Sequence, residues 1–167
     1  MPSSTRSFSE RVRRNHALEH ATLHVLARDL PNLSLVGRSD WRGFLLYGEV
    51  PTDALKRAVR EAHQRLEAGQ KALAVHPRCG TNLAVAVVLS GAAMMLGMLA
   101  GTGDRRRRWP VTLAALAGAL TLARPLGPEV QRRMTTDPDM AGVAIGPITA
   151  TGRGMRQVHR VEIEHTK

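Results

Sequence analysis

Cysteine is nearly absent from this chain. The single thiol, Cys79, excludes an intramolecular disulfide framework and any four-cysteine zinc finger. Aromatic residues make up only 3% of the sequence, too few for the base-stacking sheet of an RNA- or single-strand-binding domain. Acidic residues are outnumbered, 14 Asp and Glu against 24 Lys and Arg, which leaves a formal net charge of +10. The first 30 residues hold no apolar run of the kind a cleavable signal peptide needs. No Gly-rich phosphate loop, G-x-S-x-G elbow or dinucleotide fingerprint occurs; Gly152-Arg153-Gly154 lacks the rest of such a pattern.

A length of 167 residues suits one domain, or a small domain with an appendage, and 43% apolar composition is enough to bury a core. The apolar residues are concentrated. From Gly80 to Gly103 nothing is charged, and Leu83 to Gly101 is almost entirely Leu, Val, Ala, Met and Gly. As a helix this run reaches roughly 28 Å, close to the hydrocarbon thickness of a bilayer. Four arginines, Arg105 to Arg108, follow, and then a second apolar run from Trp109 to Ala123, ended by Arg124 and Pro125. That run covers only about 22 Å, short for a span unless Arg124 snorkels to the headgroups and Trp109 marks the opposite interface. The pattern predicts a transmembrane helical hairpin; the competing expectation is a buried hairpin in a water-soluble core. Gly97 and Gly101, preceded by Ala93, and Ala114 with Gly118 put small residues four apart on each helix, where two backbones can approach closely.

The polar parts read as α+β. Ser9 is the expected cap of a helix running to Leu30, stopped by Pro31. Strands are expected at Leu33 to Val36 and Gly43 to Val50, joined by a turn holding Ser39 and Asp40. A second helix opens at Pro51-Thr52 and ends at Gly69, and Ala72 to Val75 reads as a short strand. Beyond the hairpin, strands are expected at Met140 to Ile145, Ile148 to Thr151 and Val158 to Glu164. Strands on both sides of the hairpin can share one sheet. The organisation is then an α+β region over 1–79, an inserted transmembrane hairpin over 80–127, and strands over 128–167 that complete the α+β domain.

His16-Ala17-Leu18-Glu19-His20 carries the chemistry. Residues four apart lie one turn apart on a helix face, so His16 and His20 can reach one Zn²⁺, and Glu19 beside them can take a proton from metal-bound water. His24 extends the stripe. A second cluster, His76-Pro77-Arg78-Cys79, offers an imidazole and a thiol three residues apart; with His16 and His20 these make a tetrahedral N/S set suited to Zn²⁺. Four protein ligands would make a closed, structural site, and three would leave a position for water. His63, His159 and His165 are expected at the surface.

Two resemblances bear on this. The H-x-x-E-H run resembles the inverted zinc motif of the pitrilysin and insulysin metallopeptidases. It implies His16 and His20 as ligands, Glu19 as the general base, and a third ligand from a glutamate on a following helix; Glu61 and Glu67 on the expected second helix are the candidates here, and neither sits at the family spacing. It covers five residues. More widely, Asn15-His16-Ala17-Leu18-Glu19-His20-Ala21, Gly43-Phe44, Tyr47-Gly48 and His76-Pro77-x-Cys79-Gly80-Thr81-Asn82 ahead of an apolar hairpin resemble an uncharacterised bacterial family of small two-helix membrane proteins. That likeness spans about Asn15 to Thr136 and implies architecture, not activity.

The expectation is a multi-pass protein of the cell membrane, its soluble part cytoplasmic, with Arg105, Arg106, Arg107 and Arg108 on anionic lipid headgroups. Homo-oligomerisation through the hairpin is compatible with it. Nucleic acid is not an expected partner, since no binding motif accompanies the scattered basic residues. Function divides between a membrane-tethered, zinc-dependent hydrolase of peptidase type and a non-catalytic membrane module in which the His helix is structural, with or without zinc.

Overall fold

A computed structural model describes residues 7–99, 105–152 and 154–166, without the side chains of 105–108 and 155. Helix α1 spans Phe8–Asp29, and its cap is Ser7, not Ser9. The spacing decides this: Glu10 stands three residues after Ser7, so its N–H donates to Ser7 Oγ (3.3 Å) while its carboxylate accepts the Ser7 N–H (2.9 Å). At the other end Leu30 N–H closes on Leu26 O just before Pro31.

Strands β1 (Val36–Asp40) and β2 (Gly43–Tyr47) form a hairpin displaced from the expected first strand at Leu33 to Val36. Ser39 and Asp40, expected in the turn, belong to β1. The turn shrinks to Trp41-Arg42 because the Asp40 carboxylate accepts the Arg42 N–H at 2.8 Å. Gly43 leaves the turn at φ 143°, and a Cβ there would strike the Val161 carbonyl. Helix α2 (Thr52–Glu67) buries Leu55, Ala58, Val59, Ala62 and Leu66, and Gly69 at φ 84° ends it.

The expected strand at Ala72 to Val75 is instead a 3-10 turn, Lys71–Ala74. Both sheet edges are occupied by other strands, and the Ala74 and Val75 carbonyls go to side chains of α1. Strand β3 runs unbroken over Val143–Thr151, where two strands were expected. A bulge between Ile145 and Ile148 absorbs Pro147, which brings no N–H to the ladder. Strand β4 spans Val158–His165 and turns His159, Val161 and Ile163 inward. The antiparallel sheet has the order β1-β2-β4-β3. Phe44, Leu46, Val161 and Ile163 on one sheet face meet Leu18, Val25, Leu26, Leu55 and Val59 from the two helices.

The chain divides into two units, Met1–His76 with Arg132–Lys167, and Pro77–Gln131. The first is the α+β unit just described. The second is a helical hairpin of α3 (Gly80–Leu99) and α4 (Arg105–Val130), inserted into the α+β fold as expected. Helix α4 does not stop at Arg124. It runs through Pro125 and Pro128, and a π-helical turn, Gln131–Thr135, follows. These prolines bring no N–H to the carbonyls four residues back, and widening the ladder to π geometry accommodates such a mismatch. The second apolar segment thereby reaches Trp109–Thr135, 27 residues instead of a short run, so two helices are long and apolar enough to cross a membrane.

Within the hairpin Gly97 lies against Thr112, and Gly127 against Asn82, each too close for a side chain. Asn82 Oδ1 accepts from Gln131 Nε2 at 2.6 Å, and Asn82 Nδ2 donates to Pro77 O at 2.8 Å. Gly118 faces open space, so the small-residue contact runs through Gly97 and Gly127 rather than Ala114 and Gly118. Gly101 lies outside the described residues. Gly97→Val therefore lowers the thermal midpoint of the detergent-solubilised protein, at a cost of about 1–3 kcal/mol, whereas Gly118→Val leaves it almost unchanged.

Candidate metal centre

Helix α1 buries polar side chains along with its apolar stripe: Asn15, Glu19, His20 and Thr22 are all at most 4% exposed. Each buried polar group needs a partner, and the partners come from distant segments. His20 Nδ1 lies 2.7 Å from the Ala74 carbonyl, at the end of the 3-10 turn. His16 Nδ1 lies 2.9 Å from the carbonyl of Thr135. A carbonyl can only accept, so Nδ1 carries the proton in both rings, and the neutral imidazole then holds its lone pair on Nε2. That is the tautomer and orientation of a metal-ligating histidine with its outer hydrogen bond in place. His24 is pinned the other way, Nε2 donating to Val75 O at 2.9 Å.

Ring nitrogens of His16 and His20 come within 4.8 Å of one another, close enough to share an ion. The two rings are edge-to-face at 4.2 Å between centroids. His76 joins the same cluster, 5.6 Å from His20 and 5.0 Å from His24 by the same measure. Four imidazoles, three from successive turns of α1 and one from the segment after the 3-10 turn, thus gather in one place in the α+β unit.

Glu19 points towards the sheet. Ser39 Oγ donates to Glu19 Oε2 at 2.6 Å, and the carboxylate lies over Gly37, where any Cβ would collide with it. Neither Ser39 nor Gly37 stood out in the sequence. Their signal is that inward positions of β1 are small, which has meaning only once α1 is known to lie on that strand. Beside them Asn15 Nδ2 donates to the Asp40 carbonyl (2.8 Å), and His165 Nε2 donates to Asn15 Oδ1 (2.9 Å).

The carboxylates of α2 are placed elsewhere. Both oxygens of Glu61 accept from Arg28, at 2.6 and 2.9 Å, and this guanidinium holds the Glu61 carboxyl below its ordinary range. Glu67 lies 3.3 Å from His63 Nδ1. Cys79 belongs to the second unit and opens α3, its Sγ accepting the Thr81 N–H at 3.4 Å and its carbonyl the Asn82 N–H at 3.0 Å.

Of the three remaining histidines, expected at the surface, one is fully buried and two are half-buried. His63 Nε2 donates to Val143 O, His165 holds Asn15, and His159 is fully buried, with Nε2 3.0 Å from Thr52 Oγ1 and no partner at Nδ1. Their inward direction follows from strand alternation in β4 and from the apolar stripe of α2. Burial lowers the pKa of His159. The unfolded chain therefore takes up a proton that the folded one resists, so stability is lost as pH falls from the ordinary imidazole value of about 6.5 towards the lower folded one. Asp40 is held low by the Arg160 guanidinium and loses its contribution only further into the acid range. Thermal midpoints at pH 7 and pH 5 are expected to differ less in His159→Gln than in the wild type. For the carboxylate, Gly37→Ala is expected to cost about 1–3 kcal/mol by displacing Glu19, read as a lower thermal midpoint.

Comparison with known proteins gives a family. An uncharacterized protein of Picosynechococcus sp. (strain PCC 7002) is 37% identical over an aligned length of 139 residues that covers 75% of this chain and 65% of that protein. The chain therefore spans somewhat less than two thirds of that relative's length. No solved structure matches. Residues 11–148, a stretch holding all four clustered histidines, Glu19, Cys79 and both apolar helices, match the family model described as a domain of unknown function (DUF6391), and to that family the chain belongs.

Proposed function

We propose that this is a membrane-embedded zinc protein whose metal is held by Nε2 of His16 and His20. The observation that carries the proposal is the pair of Nδ1–H bonds to the carbonyls of Thr135 and Ala74, which orient two neighbouring imidazoles as ligands. His76 supplies a third donor from the same cluster. Cys79 is tied to it by three residues of chain, and a thiolate among imidazoles favours zinc over harder cations. Glu61 is left out of the donor set because Arg28 occupies both its oxygens.

The bilayer part of the proposal rests on exposure. In α3 and α4 Leu83, Val88, Met95, Leu96, Leu99, Trp109 and Leu113 are each more than half exposed, which water penalises and hydrocarbon does not. Anionic headgroups around Arg105 to Arg108 would neutralise the intervening charges, and the basic α+β unit would lie on the cytoplasmic side.

A hydrolytic role is the second reading, favoured by Glu19. Among the described residues it is the one acidic side chain in the buried set. Burying a carboxylate costs several kcal/mol unless it is well bonded, and an adjacent metal would offset that cost and use the group as a base for water. The alternative use of Glu19 is to bond Ser39 and anchor α1 to β1.

Metal analysis of the detergent-purified protein tests the first reading: zinc is expected to be stoichiometric in the wild type and at background in His16→Ala/His20→Ala. Equal content in both ends it. In the cobalt-substituted protein, a near-ultraviolet sulfur-to-metal band that vanishes in Cys79→Ser assigns the thiol as a ligand, and its absence from the wild type leaves His76. Glu19→Gln is expected to retain the metal. Loss of hydrolysis of a mixed peptide pool in that variant supports catalysis, whereas a wild type without hydrolysis leaves a structural metal.

A further inference from the structure

The turn between β1 and β2 carries an indole where a small polar residue would serve. Trp41 is 47% exposed, and its ring is flanked by two guanidinium groups, Arg11 from α1 and Arg42 from the turn itself, each 5.9 Å from the ring centroid. Phe8, one turn before Arg11 on α1, is 67% exposed. Arg38, exposed on the edge strand, and Arg11 have no carboxylate partner among the described residues, and Arg11 Nε is buried without an acceptor. The acidic groups nearby are engaged: Glu10 in the α1 cap, Asp40 with Arg160, and Glu162 with Arg42. One corner of the α+β unit thus presents two uncovered aromatic rings among cations of which Arg42 is paired with Glu162, while Arg11 and Arg38 have no carboxylate partner among the described residues.

That combination has a specific complement. Indole rings settle at the boundary between hydrocarbon and headgroups, and arginines beside them meet phosphate oxygens. A cation stacked on an aromatic face keeps its charge outward while the ring supplies apolar contact. We infer that the corner formed by Phe8, Arg11, Arg38, Trp41 and Arg42 docks on an anionic lipid surface, with Trp41 at headgroup depth. The inference rests on the membrane reading of the hairpin, and it adds a second, peripheral contact made by the α+β unit. Charge complementarity selects the occupant: an apolar protein partner would leave Arg11 and Arg38 unneutralised, whereas a phosphate surface satisfies both.

The two tryptophans, Trp41 and Trp109, separate this inference from the reading beneath it. The full-length protein is placed in nanodiscs of phosphatidylcholine with or without phosphatidylglycerol, using lipids brominated near the acyl carbonyl. Trp41→Phe leaves Trp109 to report insertion of the hairpin, and Trp109→Phe leaves Trp41 to report docking. The emission of Trp41 is expected to fall by roughly half and shift to the blue in discs containing phosphatidylglycerol, as for an interfacial indole. The quenching is expected to be lost in Arg11→Gln/Arg38→Gln and in high salt. Quenched Trp109 with unquenched Trp41 overturns the docking surface alone and leaves the corner to an acidic protein. Trp41 quenched equally with and without the anionic lipid also overturns it. If Trp109 is unquenched as well, the membrane reading fails and the docking inference falls with it.

Discussion

The carbonyls of Thr135 and Ala74 determine what α1 can do. They come from positions 119 and 54 residues away from the histidines they meet, and each takes an imidazole N–H. Without them two rings in and beside a core would each bring a donor with no acceptor, a penalty of about 1–3 kcal/mol apiece. With them the rings are fixed in rotamer and tautomer, each with its proton on Nδ1. The 3-10 turn at Lys71–Ala74 leaves the Ala74 carbonyl to His20, where a strand would have spent it on a neighbouring strand.

A neighbouring flank of the same helix shows a matching constraint. Asn15 and Glu19 reach across to β1, and the strand answers with Gly37 and Ser39 where bulky residues would usually cover a helix. Helix α1 is therefore held on two flanks by polar contacts, and between them by Leu18, Ala21, Val25 and Leu26. This is a costly way to secure a helix, since polar burial yields little net stability. Its return is precise placement of Glu19 and the histidines, which an apolar interface alone would not give.

The hairpin follows different rules. Its outward surface is apolar almost throughout among the described residues, and its internal contacts include close approaches at Gly97 and Gly127 and the amide pair of Asn82 with Gln131. In hydrocarbon, where we propose that the hairpin lies, close backbone approach and a satisfied polar pair would hold the helices together, because burying apolar surface no longer distinguishes one arrangement from another. Prolines in α4, disruptive in an isolated helix, are accommodated there without ending it.

Several features were legible from the residues in order. An uncharged stretch long enough for a bilayer, the four-residue spacing of His16, His20 and His24, and the alternation of Val158 to His165 each reflect local periodicity, which needs no partner to be read. Other features were not local. The cap at Ser7 depended on the reach of Glu10, and β1 was displaced because Asp40 closed a tighter turn. Helix α4 outran Pro125, and His159 turned inward with its strand. The direction of Glu19 towards Ser39, the diversion of Glu61 to Arg28, and the carbonyls that set both histidine tautomers arise from segments far apart in the chain. The order of residues by itself determined which donors lie on one helix face and where the apolar helices run, since both are set by helix geometry. Tertiary structure alone decided which nitrogen of each ring bears the proton and which partners the Glu19 and Glu61 carboxylates take, because a hydrogen-bond partner is chosen by folding and not by spacing.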